Sequence, residues 1–309
     1  MSINATEWIW HDGKLVPWND AQVHVLAHGL HFGSSVFEGI RVYDTHRGPC
    51  FFRLREHIDR MFDSARVYRM DIPFTREEIE RACHEVVARN GLRSAYLRPI
   101  AYFGYGTLGL DASACPVGVS IAAVEWGRYL GADAIENGVD VCVSSWARLA
   151  PNTVPTLAKA GGNYLSSQLI TAEAKRHGYA EGIGLCTDGT ISEGAGENLF
   201  VLHGGVVRTP GAAASILVGI TRDSVKPICA DRGLEVREES LPREILYVAD
   251  EVFMTGTAAE ITPVRSVDRI PVGTGGRGAW TKAIQERFFG LFDGSVEDTH
   301  GWLQPVEGA

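Results

Sequence analysis

The alternation of apolar and polar residues predicts a mixture of strands and helices in the first half of the chain. Two short apolar runs flank Asp12-Gly13, and Asp-Gly is a common two-residue hairpin turn. Apolar residues then recur at helical spacing in residues 54–68 and 74–91. The second segment begins with a capping box, Thr75 and Glu78, and ends at a glycine. Strand-like runs follow at 94–103, 117–126 and 138–146.

The pattern in the second half predicts short strands separated by irregular helices. A helix is expected at about 163–177, where Gly178 would stop it. Later helices are expected at 221–233, near 242–249 and from about 278 to 290, with short strands between them. Because strands and helices do not alternate regularly, the sequence predicts an α+β fold with a barrel-like second domain. The boundary between the halves is expected in the glycine-containing stretch 127–138.

Composition and charge narrow the class of protein. The chain has 309 residues, of which 45% are hydrophobic and 22% charged, as expected for one large or two medium globular domains. Its net charge of −9 argues against general binding to nucleic acids or anionic membranes, which requires a basic surface. No apolar run reaches the ~18 residues of a membrane span, and the first residues lack the features of a signal peptide, so we expect a cytoplasmic protein.

Several short patterns suggest chemistries whose other required parts are missing. The glycines of residues 104–109 match a dinucleotide-binding loop, but Pro116 follows too soon for the crossover helix, so we expect a surface loop. His24, His28 and His31 have helical spacing, yet no carboxylate ligand is close in sequence, so we expect packing histidines and no metal. The six cysteines form no C-x-x-C pair, which favours reduced thiols.

Lys159 lies in an unusual setting for this chain. The sequence has five lysines against twenty-four arginines, and Lys159 is surrounded by Ala, Gly and Leu with no acidic neighbour. An amine in such surroundings loses its charge more easily, and a neutral amine can form a Schiff base with a carbonyl. Taken alone, the pattern is equally compatible with a surface lysine on a loop of small residues.

The rest of the chain offers the other parts that a pyridoxal phosphate site needs. Glu193 and Glu197 lie in a glycine-rich turn, where an acid can pair with the ring nitrogen. Thr221 begins a predicted helix whose N-terminus suits a phosphate, and Thr257 and Arg60 can add to an anion site. Each residue has a simpler explanation, as a solvated acid, an N-cap or a surface arginine. Together they cover every part of the cofactor.

Six motifs in order along the chain resemble the class IV, or fold-type IV, pyridoxal-phosphate aminotransferases, and among these the bacterial branched-chain amino acid aminotransferases. The motifs are HFGSSVFEGIR (31–41), EHIDRM (56–61), PTLAKAGGNYLSS (155–167), ISEGAGENLF (191–200), GITRD (219–223) and GTAAEITPV (256–264). The resemblance covers nearly the whole chain. It implies a small α/β domain at 1–126, a linker at 127–136 and a larger pseudo-barrel domain at 137–309 that carries Lys159.

The resemblance implies a role for each residue of the cofactor site. Lys159 would hold pyridoxal 5′-phosphate as a Schiff base and move a proton between Cα and C4′. Glu193 would pair with the pyridine nitrogen, and Tyr164 would hydrogen-bond the ring hydroxyl. The remaining cofactor contacts would be Arg60, the Ile220 backbone, Thr221 and Thr257 at the phosphate, Leu217 against the ring, and Glu197 behind Glu193.

The resemblance also implies a substrate pocket that accepts both an apolar side chain and the acid of glutamate. Its members would be Phe32, Phe37, Gly39, Tyr96, Arg98, Leu110, Trp126, Tyr129, Thr257 and Ala258. Tyr96 and the Thr257–Ala258 backbone would bind the α-carboxylate, and Arg98 would receive the distal carboxylate of glutamate. Loop 104–110 would reach the site of a partner subunit, which implies at least a homodimer.

One position departs from the family pattern. Family members usually carry Tyr where this chain has Phe32. The missing phenol is expected either to weaken glutamate recognition or to favour bulkier and more apolar amino donors. The predicted reaction is reversible transfer of an amino group between L-leucine, L-isoleucine or L-valine and 2-oxoglutarate.

Other functions remain open from the sequence. On the same fold, the alternatives are a D-amino acid or (R)-amine transaminase and an aminodeoxychorismate lyase, although Arg98 beside Tyr96 favours branched-chain substrates. Thr156 and Lys159 also resemble the S-x-x-K motif of serine-type acyl hydrolases, but Thr replaces Ser and the S-D-N and K-T-G motifs are absent. A third alternative is a non-catalytic carrier of pyridoxal phosphate.

Overall fold

The computed structural model describes residues 3–127, 130–131 and 133–308. These residues form two compact units, each with its own β-sheet. The first unit comprises the described residues of Met1–Gly127, Ala158–Gly162 and Leu291–Ala309, and the second those of Arg128–Leu157 and Asn163–Gly290. Both units combine a sheet with helices, so the predicted α+β class is confirmed.

The helices and strands are numbered in chain order. The helices are α1 (His28–Phe32), α2 (Leu54–Val67), α3 (Arg76–Arg89), α4 (Ala134–Asn137), α5 (Tyr164–Arg176), α6 (Ile220–Asp231), α7 (Ile245–Val248) and α8 (Ala279–Asp293). The strands are β1 (Trp8–His11), β2 (Lys14–Pro17), β3 (Ser35–Phe37), β4 (Ile40–Thr45), β5 (Gly48–Phe52), β6 (Ala95–Phe103), β7 (Val117–Val124), β8 (Val139–Ala147), β9 (Glu181–Leu185), β10 (Ile191–Gly194), β11 (Asn198–His203), β12 (Val206–Thr209), β13 (Glu235–Glu238), β14 (Glu251–Gly256), β15 (Glu260–Val267), β16 (Ile270–Pro271) and β17 (Leu303–Pro305). Short 3₁₀ turns lie at Trp18–Asp20, Gly161–Asn163 and Ala212–Ala214.

The first unit is an antiparallel sheet with two helices packed on it. Its strand order is β17-β5-β4-β6-β7-β1-β2, with β3 beside β6. The helices α2 and α3 each place an apolar stripe in the core, because their buried residues recur every three or four positions. The stripe of α2 is Leu54, Ile58, Met61 and Ala65, and that of α3 is Ile79, Ala82, Cys83, Val86 and Val87.

The second unit is a mixed sheet in the order β10-β9-β8-β15-β14-β11-β12-β13, with β16 beside β15. Three of its pairings are parallel: β8 with β9, β8 with β15, and β12 with β13. The end strands β10 and β13 do not pair with each other in the described part of the chain. Strands β11 and β14 contribute much of a core that includes Leu199, Val201, Val252 and Met254.

Local signals in the sequence predicted several elements correctly. The Asp12-Gly13 hairpin is present, and both turn residues have the positive φ (45° and 93°) that a tight hairpin turn of this kind requires. The capping box of α3 is also confirmed. The Thr75 hydroxyl accepts a hydrogen bond from the Glu78 N–H at 3.2 Å, and the Glu78 carboxylate accepts one from the Thr75 N–H at 2.7 Å.

The division into units differs from the predicted domains, because two later segments fold with the first unit. The segment Ala158–Gly162, which holds Lys159, was expected in the larger domain. It belongs to the first unit because Ala160 forms a β-bridge with Val36. The C-terminal segment does so too, since β17 pairs with β5. Such pairings between distant parts of the chain leave no trace in the periodicity of the sequence.

Among the helices of the described ranges, none combines the length and apolar character that crossing a bilayer requires. All six cysteines are free thiols, and all except Cys186 are buried.

The capping box of α3 gives a direct test of the fold. Replacing Thr75 with Ala removes the hydroxyl that satisfies the Glu78 N–H, so we expect the free energy of unfolding to fall by about 1 kcal/mol. Urea unfolding followed by circular dichroism measures this change. The matched control is Thr299→Ala at an exposed position, which is expected to leave stability unchanged. Equal stability of the two variants would contradict the role of the cap.

Candidate active site

Lys159 is held in the first unit by its backbone. Its N–H donates to the Ser64 hydroxyl of α2 at 2.9 Å, and its carbonyl accepts from the Phe37 N–H at 3.0 Å. Its side chain is half-buried, and the amine lies 4.9 Å from the centroid of the Phe37 ring. The backbone of the lysine is therefore fixed to both a strand end and a helix.

An aromatic cluster extends from Lys159. The Arg98 guanidinium lies over the Phe37 ring at 4.8 Å and over the Tyr96 ring at 5.5 Å. The rings of Tyr96 and Trp126 stack with their centroids 4.9 Å apart. Two cations and three aromatic rings thus form one group in which apolar faces adjoin positive charge, a combination that can bind an acid with an apolar body.

Gly39 permits the position of Tyr96. A Cβ atom at residue 39 would lie 1.9 Å from the Tyr96 hydroxyl oxygen, so any other residue would displace the phenol. The Tyr96 hydroxyl is 3.5 Å from Nη2 of Arg98. The glycine predicted for the pocket is therefore required by close approach, as it allows the phenol to reach this place.

Other predicted pocket residues of the first unit lie on its surface. Phe32, at the end of α1, is 46% exposed and packs against the His28 ring at 4.5 Å between centroids. Leu110, at the end of loop 104–110, is 83% exposed. Tyr129 lies outside the described residues.

The glycine-containing loop and the histidines at helical spacing, which resembled other sites in the sequence, have structural roles. Loop 104–110 is a surface loop, as predicted, and its backbone is tied to α1 by His28, whose N–H donates to the Gly104 carbonyl at 3.0 Å. His28 also hydrogen-bonds the Ser34 hydroxyl at 2.6 Å, and His24 lies before α1 against the Tyr105 ring. No group of residues suited to hold a metal ion occurs within the described ranges.

Arg60 of α2 forms an ion pair with Glu38, whose side chain is fully buried. Its Nε and Nη2 donate to the two carboxylate oxygens of Glu38 at 2.7 and 2.8 Å. The His57 ring also meets this carboxylate, at 2.7 Å. Burial opposes the ionisation of Glu38, but the neighbouring Arg60 and His57 outweigh it and hold its pKa well below the usual range. Burial lowers the pKa of His57, which keeps the imidazole neutral.

Glu193 occupies a buried polar site in the second unit. Its Oε1 accepts from Arg148 at 2.6 Å, and its Oε2 accepts from the Asn198 amide at 3.1 Å and from the Leu217 N–H at 3.0 Å. Both Arg148 and Glu193 are largely buried. A carboxylate that is held in place by a guanidinium and two further donors is a suitable partner for a protonated ring nitrogen.

Asn198 connects this acid to the start of α6. The same amide group donates to Glu193 and to the Leu217 carbonyl (2.8 Å), while its oxygen accepts from the Gly219 N–H at 3.1 Å. Gly219 is the N-cap of α6 and has no side chain to cap it. The first turn of such a helix has backbone N–H groups at the positive end of the helix dipole, a setting that suits a phosphate. In α6 this turn begins with Ile220 and Thr221.

Glu197 differs from Glu193 in its surroundings. It is buried and accepts a hydrogen bond from the Gly196 N–H at 3.1 Å. Burial raises its pKa well above the ordinary value of 4.5, and the nearby Glu181 and Glu193 carboxylates raise it further. Gly194 is required here because a Cβ at that position would lie 2.8 Å from the Glu197 carboxylate. The two acids of the ISEGAGENLF motif therefore differ in their surroundings: an arginine pairs with Glu193, whereas other carboxylates lie near Glu197.

The remaining predicted residues of the second unit lie at element ends. Tyr164 is the first residue of α5, and Thr257 and Ala258 form the turn between β14 and β15. All three are half-buried, as is Leu217. Their positions at ends of helices and strands are typical of binding residues, which a rigid scaffold holds while leaving them accessible.

Comparison with known proteins assigns the family. The model of the family described as amino-transferase class IV matches residues 35–267. The chain belongs to this family. It is 55% identical to the branched-chain-amino-acid aminotransferase of Salmonella typhimurium (strain LT2), over 99% of each chain, and 45% identical to that of Pseudomonas aeruginosa, over 97% of each. The resemblance inferred from the six motifs is thus confirmed.

Solved structures agree with this family. The crystal structure of the branched-chain amino acid aminotransferase of Escherichia coli is 55% identical, with a TM-score of 0.97 over 98% of this chain and 100% of that one. The enzyme of Thermoproteus uzoniensis with norvaline is 40% identical, with a TM-score of 0.93 over 98% and 100% of the two chains. This chain therefore has the class IV aminotransferase fold.

Several residues of the site were not predicted from the sequence. Arg148 is the counterion of Glu193 but lies 45 positions away, and Glu38 lies 22 positions from Arg60. The one available signal was that a buried acid or arginine needs a partner, which states the type of the partner and not its position. Asn198 and Ser64 were missed because their roles depend on contacts with distant backbone groups.

The raised pKa of Glu197 predicts how its replacement depends on pH. A carboxyl whose pKa is raised by folding contributes stability below its ordinary pKa of 4.5, and that stability is lost as pH rises toward the folded pKa. Glu197→Gln has no such loss. We therefore expect the variant to gain stability relative to the parent between pH 5 and pH 8, by up to about 1.4 kcal/mol per pH unit.

Thermal unfolding at both pH values measures this gain. Glu244→Gln, at an exposed position of the second unit, is the control and should show the same difference from the parent at pH 5 and pH 8. A difference for Glu197→Gln that does not grow with pH would show that the carboxyl ionises normally in the folded protein.

Proposed function

We propose that this protein is a branched-chain amino acid transaminase, which reversibly transfers an amino group between L-leucine, L-isoleucine or L-valine and 2-oxoglutarate. The observation that carries the proposal is 55% identity over 99% of the chain to aminotransferases that bear this name. The group of Phe37, Tyr96, Trp126 and Arg98 adds support, because it combines apolar faces with a cation. The alternatives on the same fold have no comparable support.

We propose pyridoxal 5′-phosphate as the cofactor. When bound, it supplies an electron sink for the charge that develops at Cα. The residues present fit this group: Lys159 offers an amine for the aldehyde, and the buried, charge-paired Glu193 offers a partner for the ring nitrogen. Structural relatives of the chain include a branched-chain aminotransferase with pyridoxamine 5′-phosphate and that of Thermobaculum terrenum in its PLP form.

The other cofactor residues have the roles expected from the resemblance. Tyr164 would donate to the ring hydroxyl, Leu217 would pack against the ring, and Glu197, whose pKa is raised by burial, would stay behind Glu193. The phosphate would be held by Arg60, the Ile220 backbone, Thr221 and Thr257. The position of Ile220 and Thr221 at the N-terminus of α6 supports this assignment, since the positive end of a helix dipole attracts an anion.

Lys159 is proposed as the catalytic acid and base. Its amine would take the proton from Cα of the amino acid and return it at C4′, so the same nitrogen must be held close to both positions. The hydrogen bonds of its backbone to Ser64 and Phe37 limit the movement of the chain at this residue. The nearby Phe37 ring attracts the ammonium form, which the lysine adopts after it accepts the proton.

The proposed substrate pocket separates the two ends of the substrate. Tyr96 and the Thr257–Ala258 backbone would bind the α-carboxylate, and Arg98 would bind the distal carboxylate of glutamate. Phe37 and Trp126 would pack against a branched apolar side chain. The further members would be Phe32, Gly39, Leu110 and Tyr129.

We also propose that the protein is at least a homodimer in which loop 104–110 reaches the site of the partner. This loop and residues 25–32 of the same chain expose a group of large apolar side chains, which a second copy of the protein would cover. These are Val25, Leu26, Leu30, Phe32, Tyr105, Leu108 and Leu110. A cytoplasmic location remains our proposal and accords with six free thiols.

Replacing Lys159 tests the cofactor and the reaction together. The parent protein with pyridoxal phosphate should show a visible absorption band that fades when L-leucine is added without a keto acid. Lys159→Ala should lack this change and should turn over at least about 10²-fold more slowly, because the proton carrier is absent. The control is Lys282→Ala, at an exposed position of α8, which should behave like the parent. Undiminished turnover by Lys159→Ala would refute the assignment.

Phe32 provides a test of substrate recognition. Phe32→Tyr restores a phenol that can hydrogen-bond a carboxylate, so we expect kcat/KM for L-glutamate to rise by roughly threefold to tenfold, with L-leucine little changed. Steady-state kinetics with both amino donors measure the effect. Phe74→Tyr, which places a phenol beside Trp10, serves as the control. If Phe32→Tyr uses glutamate no better than the parent, Phe32 has no part in glutamate recognition.

A further inference from the structure

Glu38 is a fully buried acid for which the proposed reaction has no role. It follows β3 and precedes β4 in the first unit. Its Oε1 accepts from Nε of Arg60 at 2.7 Å, and its Oε2 accepts from Nη2 of Arg60 at 2.8 Å and from the His57 ring at 2.7 Å. This is a two-point contact with one edge of the guanidinium, which fixes its plane as well as its position.

The charges of this group are defined by its hydrogen bonds. A carboxylate with three such donors is ionised and can only accept, so Nδ1 of His57 must carry a proton. His57 is neutral because burial lowers its pKa. The group therefore contains one anion and one cation, and loss of the Glu38 charge would leave Arg60 beside a neutral residue in a buried setting.

The main chain of Arg60 is connected to Lys159. The carbonyl of Arg60 accepts from the Ser64 hydroxyl at 2.8 Å, and the same hydroxyl accepts from the Lys159 N–H. In this turn of α2, both the backbone and the side chain of Arg60 are therefore held in place. Its backbone is linked through Ser64 to the lysine, whereas the direction of the Arg60 side chain is determined by Glu38.

We propose that Glu38 is a positioning residue, which holds the Arg60 guanidinium by its Nε and Nη2 edge in the orientation that binds the cofactor phosphate. This inference rests on the proposed function, because it takes Arg60 as a phosphate ligand. We therefore expect replacement of Glu38 to weaken binding of the phosphate end of the cofactor only. The backbone of Lys159 is held by Ser64 and Phe37, so we expect removal of the Glu38 charge to leave the backbone of the lysine in place.

The test compares two ligands that differ only in the phosphate. Pyridoxal 5′-phosphate and pyridoxal are titrated into cofactor-free protein, and binding is followed by absorbance. For Glu38→Gln we expect the affinity for pyridoxal phosphate to fall by about tenfold or more, the size of effect seen when a residue that orients a ligand-binding side chain is replaced. The affinity for pyridoxal should change less than about twofold. The ratio of the two affinities is a readout that a purely structural role would not change.

The matched control is Glu56→Gln, which removes the acid of another glutamate–arginine pair, at the start of α2. Glu56 meets Arg53 at 2.7 Å, and its side chain is partly exposed. We expect no change in the ratio. If Glu38→Gln does not fold, Glu38→Asp keeps the charge but retracts it from the guanidinium, and the ratio is again expected to fall.

Three results would overturn the inference. Equal losses for the two ligands would mean that Glu38 supports only the fold, and unchanged affinities would mean that Arg60 is oriented without it. If the parent protein itself binds neither ligand, the proposed cofactor is wrong and the inference fails with it. The parent titration therefore separates failure of the proposed function from failure of the role given to Glu38.

Discussion

Two arginine–glutamate pairs, one in each unit and each with a buried carboxylate, fix the polar residues on which the site depends. Their roles are reversed. In the second unit Arg148 holds Glu193, and the acid is the group proposed to meet the cofactor. In the first unit Glu38 holds Arg60, and the arginine is the proposed ligand. Burying the charge of one member without the other would be costly. Loss of either member would therefore leave an uncompensated charge.

Glycines close to these pairs make room for neighbouring polar side chains. Gly39 makes room for the Tyr96 phenol, and Gly219 makes room for the Asn198 amide, whose oxygen would lie 2.1 Å from a Cβ at that position. Asn198 satisfies Glu193, a carbonyl and an N–H group at once. Burying polar groups costs little where each has a hydrogen-bond partner, but Nε of Arg148 is buried without one among the described residues.

The sequence predicted the parts of the fold whose signals are local. The capping box of Thr75 and Glu78 and the turn at Asp12-Gly13 are encoded within four residues or fewer, and both appear in the structure. Strands β4 and β5 were not predicted, and β17 joins β5 from the far end of the chain. Their stability comes from partners that lie far away in sequence, and periodicity contains no information about such partners.

The candidate site was predictable to a similar extent. Lys159 stood out by its neighbours, and Glu193 and Thr221 by glycine-rich turns and a helix start, since these are properties of short segments. The counterions Arg148 and Glu38 could not be predicted. A buried charge needs an opposite charge beside it, and any of the twenty-four arginines or many of the acids could supply one. The resemblance to the class IV aminotransferases supplied the order of the motifs, but the hydrogen bonds around them required the three-dimensional structure.

The short segment that carries Lys159 has a consequence for how this gene can be divided. Ala158–Gly162 belongs to the first unit, although the chain on both sides of it belongs to the second. A fragment that ends before residue 127 would therefore lack the lysine, and a fragment that begins after it would hold the lysine without Ser64 and Phe37. Recombination that exchanges whole domains between relatives would have to take these five residues from the same parent as the N-terminal unit.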